Sequence, residues 1–116
     1  MLIPKDAIIA VEKVRDYLLI LREEDDKSQF LGLAGYSRND YWELLRDIRD
    51  QLLPAEGEFD LDRGYGPIYS CKGLLRGPNG VILAVQTKWI LNLSGEIRFV
   101  TLVPDVERYR NEIRAI

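Results

Sequence analysis

The 116-residue chain contains no histidine and a single cysteine, Cys71. Its chemistry therefore falls to lysine, arginine, tyrosine, serine and threonine. Without histidine there is no Ser-His-Asp or Cys-His nucleophile, no His-ligated metal and no ordinary neutral-pH acid–base pair. One thiol cannot build a Cys-based zinc site either. The remaining set suits cleavage of RNA by its own 2′-hydroxyl, in which a protein binds the scissile phosphate, stabilises added negative charge and moves protons. Arg98, within "GEIRFVTLVPD", is either a solvated residue on the polar face of a strand or a cation aimed at a phosphate. From Arg63 to Arg98, five basic residues (Arg63, Lys72, Arg76, Lys88, Arg98) stand against one acid, Glu96. Tyr65, Tyr69, Trp89 and Phe99 either stack on unpaired bases or serve as core and rim packing. Arg76, Lys88 and Trp89 are the candidate substrate-binding residues.

Other motifs add little. "EEDD" at Glu23–Asp26 offers oxygen ligands without the spacing of a calcium loop, and reads as the solvated start of a helix. "GYGP" and "GPNG" are turns, because neither is a Gly-rich loop opening a helix. Cys71 sits mid-strand as a small core or edge residue. No metal and no cofactor is expected.

The elements that must position these residues change period along the chain. "AVEKVRDYLLI" groups Val11, Val14, Tyr17, Leu18 and Ile20 near one helical face. "REEDDKSQFLGLAGY" opens on acids, which suit a helix N-terminus, and ends at the breaker Gly35. "SRNDYWELLRDIRDQLLP" places Tyr41, Leu44, Leu45, Ile48 and Leu52 at helical spacing, with Asn39 or Asp40 as cap and Pro54 as stop. Beyond Pro54 the pattern alternates. An edge strand is expected around Glu58–Leu61, and three longer ones at about Ile68–Arg76, Val81–Leu91 and Glu96–Val103, with "GPNG" and "NLSG" as hairpin turns. Val81, Leu83, Val85, Trp89 and Leu91 form an apolar face that Thr87 interrupts. "PDVERYRNEIRAI" reads as a short closing helix.

The expected class is α+β, with three N-terminal helices on one face of a three- to four-stranded antiparallel sheet. Leu44, Leu45, Ile48, Leu83, Val85 and Phe99 should be largely buried. The chain reads as one domain, residues 1–116, in which residues 1–53 are helical, residues 54–104 form the sheet and residues 105–116 are a tail. Apolar residues at 47% and charged residues at 30% are an ordinary globular balance. The absence of a signal peptide or long apolar run reads as a cytoplasmic protein without membrane contact. Net charge is −3 and the pI about 5.0, which disfavours a broad nucleic-acid surface. The basic excess in the sheet region nonetheless suits a polyanion or an acidic partner, or simply decorates a solvated face.

The segments "EKVRDYLL", "DKSQFLGLAGY", "YG-x-IY", "GLLRGPNG", "TKWIL" and "RFVTLVP" together resemble a widespread bacterial domain family of unknown function. Its members occur alone, notably in cyanobacteria, or as the C-terminal module of secreted polymorphic toxins. The resemblance runs from about residue 12 to 105. It implies, by fold-level analogy, a likeness to the RelE, barnase and colicin-type ribonuclease fold. The family's polar positions fall on Lys27, Tyr65, Gly66, Trp89, Arg98 and Thr101, and Lys27, Tyr65, Arg98 and Thr101 are the implied catalytic set. Toxin-linked members carry a His-Pro pair shortly before the helical lysine. Here the region reads "LREEDD", so a protein relying on that histidine would be a weak enzyme or none. In a regular strand Arg98 and Thr101 point to opposite faces, and they share a groove only if a bulge or twist intervenes.

Three readings follow. The first is a non-catalytic or weakly active interaction module of a toxin–antitoxin-like pair, holding a small protein partner on the sheet. Its alternative is a histidine-free ribonuclease-like toxin domain acting on RNA. The third is a structural role in which Arg98 pairs with Glu96 or a helical acid.

Overall fold

The computed structural model describes residues 1–21 and 27–109. The order along the chain is β1 (Leu2–Ile3), α1 (Val11–Lys13) continuing into a π-helical turn (Val14–Leu18), α2 (Ser28–Gly32), α3 (Tyr41–Leu52), β2 (Ala55–Glu56), β3 (Glu58–Asp62), β4 (Pro67–Arg76), β5 (Ile82–Leu91) and β6 (Ile97–Pro104). A single helical turn follows at 106–109. The expected acidic helix start at Glu23–Asp26 and the end of the C-terminal tail lie outside the described residues. No helix among the described residues is long and apolar enough to cross a membrane.

The α+β class holds: β3-β4-β5-β6 form an antiparallel meander. Gly77–Gly80 closes the β4–β5 hairpin, with the Gly80 amide donating to Gly77 O and Gly80 at φ +88°. That positive φ is open to glycine at little cost. Alternation along β4 and β5 turns Cys71, Leu75, Leu83, Val85, Thr87 and Trp89 inward, all buried. The helices cover this face. Leu52 of α3 packs on the bare backbone of Gly73, where a Cβ would meet its side chain at 2.7 Å. Leu44, Ile48 and Leu52 form the buried i, i+4 stripe of α3. Gln51 then clasps the end of β4, its amide donating to Arg76 O and its oxygen accepting from Arg76 N. Beneath it the Tyr36 hydroxyl donates to Asp47 at 2.7 Å.

Several expectations need correction. The first helix is not regular: Leu19 N–H donates to Val14 O, an i→i+5 bond, and the widened turn lets Val14, Leu18 and Leu19 all face the core. Asp40 stands at the N-cap of α3 but makes no capping hydrogen bond. Leu45 is half-buried, and Val81 is exposed in the hairpin turn instead of opening a strand face. Thr87 does not interrupt the inner face but belongs to it, accepting the buried indole N–H of Trp89 at 2.9 Å. Strands β1 and β2, paired as Leu2 with Glu56 and Ile3 with Ala55, have no counterpart among the expected elements. Ile8 also bridges β6, donating to Ile97 O and accepting from Phe99 N.

Candidate functional site

The sheet face opposite the helices carries the polar residues. Cα partners in adjacent strands share a face, so Ser70 of β4, Lys88 of β5 and Thr101 of β6 form one cross-strand row. Ile68, Ile90 and Arg98 form the next. A bulge makes this possible. Lys88 opposes Thr101 while Trp89 opposes Phe99, leaving Val100 without a partner. The extra residue brings Arg98 and Thr101, three positions apart, onto the same face.

A second bulge works from the other side. Phe59 opposes Tyr69 and Leu61 opposes Ile68, which leaves Asp60 extra. Its carboxylate lies over the row, accepting from Lys88 Nζ at 2.6 Å and Ser70 Oγ at 3.4 Å. Lys88 Nζ also donates to Ser70 Oγ at 2.8 Å. The hydrogen bond from Lys88 outweighs partial burial and holds the Asp60 carboxyl below its ordinary range. Thr101 Oγ1 is buried without a hydrogen-bond partner among the described residues.

A hollow of about 520 Å³ opens beside this row, lined by Glu56, Glu58, Asp60, Glu107, Lys72 and Lys88 together with Phe59, Ser70 and Gln86. Lys72 pairs with Glu107 at 3.2 Å, and that bond raises the ammonium's pKa. Four carboxylates thus surround two lysines, and each lysine already has an acid. Arg98 lies 3.7 Å from Glu96, both half-exposed. Such a pair contributes only about 0–1 kcal/mol. Beyond Glu96, the basic excess legible between residues 63 and 98 is therefore offset by acids arriving from β3 and the helical turn after β6.

The remaining candidates are dispersed. Lys27 is 6% exposed in the helical layer, where its ammonium sits 5.1 Å above the Tyr17 ring and donates to the Tyr17 hydroxyl at 3.2 Å. Tyr65, 74% exposed, occupies the β3–β4 connection. Its neighbour Gly66, at φ +123°, lets that connection press against the Leu91 carbonyl, where any Cβ would collide. Arg76 ends β4 with its side chain in solvent. Trp89 is fully buried and packs edge-on against Phe99 at 5.3 Å. Neither ring exposes a face in this arrangement, so stacking on a base would require it to leave the core.

Asp60, Ser70, Glu58 and Glu107 were not among the sequence candidates. Asp60 reaches the row only through its bulge, which no local pattern in "EFDLD" announces.

Against known proteins, no curated sequence matches this chain. Among solved structures, a chain of a contact-dependent growth inhibition toxin–immunity protein complex from Klebsiella pneumoniae 342 is similar, with a TM-score of 0.58 over 85% of this chain and 93% of that one. At 19% identity the likeness is one of fold. A family model for a domain of unknown function, DUF6883, matches residues 4–106, and the chain belongs to that family.

Proposed function

We propose that this DUF6883 member is a non-catalytic, or at most weakly active, interaction module that holds a small partner protein, as one half of a toxin–antitoxin-like pair in the cytoplasm. The observation that carries this reading is the charge pairing on the open sheet face. Lys72, Lys88 and Arg98 each face a carboxylate, and the hollow has more acids than cations. A surface of that sign repels a polyanion and suits a basic protein surface. The similar fold found in a toxin–immunity protein complex supports a two-protein setting.

A second reading is favoured by one feature. The β6 bulge puts Arg98 and Thr101 on the face that holds Lys88, as a histidine-free ribonuclease acting through 2′-hydroxyl attack would require. In that reading Lys27, Tyr65, Arg98 and Thr101 carry catalysis, with Arg76, Lys88 and Trp89 binding substrate. Asp60 would first have to release Lys88, and Trp89 to leave the core.

The test incubates purified protein with total RNA, wild type beside Arg98→Ala. In parallel, the protein is titrated with a labelled single-stranded RNA and a labelled lysine-rich peptide. Intact RNA, with binding of the peptide alone, is the expected result. Cleavage that disappears in Arg98→Ala would overturn the interaction reading in favour of the ribonuclease.

A further inference from the structure

The two edges of the four-stranded sheet are treated differently. The β6 edge is met by the Ile8 segment through hydrogen bonds on both sides of Arg98. The β3 edge is open: among the described residues, β4 is the sheet neighbour of β3 and nothing pairs beyond it. Alternate residues of such a strand turn their N–H and C=O groups away from the sheet, a ready template for another strand. Bulges and charges commonly blunt an edge of this kind, and Asp60 supplies both. Phe59 does the opposite. It stands 64% exposed in the middle of the edge strand, supported edge-on by Tyr69 at 6.2 Å, and it lines the acidic hollow.

We infer that the β3 edge docks an extended lysine- or arginine-bearing segment of the partner protein. The segment adds a strand along Glu58–Asp62, sets its cations beside Glu58 and Asp60 on the open face and turns its alternate side chains toward Phe59 on the other. Charge complementarity selects this occupant. The edge strand reads "EFDLD", three carboxylates in five residues with no cation, so a neutral or acidic strand, including a second copy of β3, meets repulsion or gains nothing. Backbone pairing supplies affinity, and the alternating acids supply the choice of partner. The inference rests on the protein-binding reading and narrows it to one edge and one partner chemistry.

The experiment titrates the full chain with three labelled probes: an alternating lysine–threonine peptide, an alternating lysine–proline peptide of equal charge, and an alternating glutamate–threonine peptide. Proline lacks the N–H that strand addition needs. Binding of the lysine–threonine peptide should exceed that of the other two by at least about tenfold, and Glu58→Lys should weaken it by about the same factor. A thermal melt shows that Glu58→Lys, a change at an exposed position, leaves the protein folded. Equal binding of the two lysine peptides, no binding of either, or indifference to Glu58→Lys would each overturn the docking edge. RNA left intact alongside such a result removes the edge while sparing the broader interaction reading, whereas RNA cleavage removes both.

Discussion

Lys88 Nζ lies 2.6 Å from Asp60 Oδ2, a contact made between β5 and the bulged residue of an edge strand two positions across the sheet. It turns the central cation of the open face into half of an ion pair, and it is the reason a basic stretch of sequence becomes a charge-balanced surface.

The first prediction concerns pH. The Asp60 carboxyl is held below its ordinary range by Lys88, and the Asp16 carboxyl is held lower still by hydrogen bonds from Arg15 and then Arg38. A carboxylate whose folded pKa is depressed contributes stability that is fully present above its unfolded pKa, about 4, and is lost as pH falls through the folded value. Thermal stability should therefore hold near neutrality and decline below about pH 4. Asp60→Asn and Asp16→Asn should each lower the neutral plateau and flatten that decline. Melts across pH with the wild-type slope in both variants would contradict the assignment.

The second prediction addresses the core. Thr87 and Trp89 lie two residues apart on one strand, both buried, and the threonine oxygen is the acceptor for the indole N–H. Thr87→Val keeps the shape and leaves that N–H unsatisfied, which should cost about 1–3 kcal/mol. Urea unfolding followed by tryptophan fluorescence measures it. An unchanged midpoint would mean that the hydroxyl contributes nothing to stability.

The third prediction separates backbone strain from collision. Gly64 and Gly66 both have positive φ, but a Cβ at Gly64 meets open space while one at Gly66 runs into the Leu91 carbonyl. Each change to alanine should destabilise by more than about 0.4–1 kcal/mol, because φ > 0 is unfavourable for alanine. Gly66→Ala should cost clearly more than Gly64→Ala in the same denaturation assay. Equal losses would show that the connection moves aside freely.

Local periodicity made much of the fold legible. The stripe Leu44, Ile48 and Leu52 and the alternation from Leu83 to Trp89 place α3 and β5 to within a residue, because helical and strand patterns record which face meets the core. Leu2–Ile3 were not legible as a strand: a two-residue strand has no period, and its partner lies more than fifty positions away in sequence. The π turn escaped for a related reason. Val14, Leu18 and Leu19 satisfy a wide helical stripe as well as an i→i+5 turn, and only packing chooses between them. In the site, Lys88, Arg98 and Thr101 were legible as residues, and the strand argument correctly required a bulge for the last two to converge. Of the acids that answer the cations, Glu96 was legible as a partner for Arg98 because it lies two residues away on the same chain segment; Asp60 and Glu107 were not, since each comes from a distant element.

The sequence alone determined which chemistry is closed to this protein, by leaving out histidine and a second cysteine. It also determined the α+β class, through the switch of hydrophobic period at Pro54. Tertiary structure decided the electrostatic character of the open face. Two bulges, at Asp60 and Val100, shift side chains across the sheet by one position each, and a one-position shift reverses the face on which every later residue lies. Charge counted along the chain therefore differs from charge met by a ligand: Lys88 stands 28 residues from Asp60 in sequence and in hydrogen-bond contact with it in space.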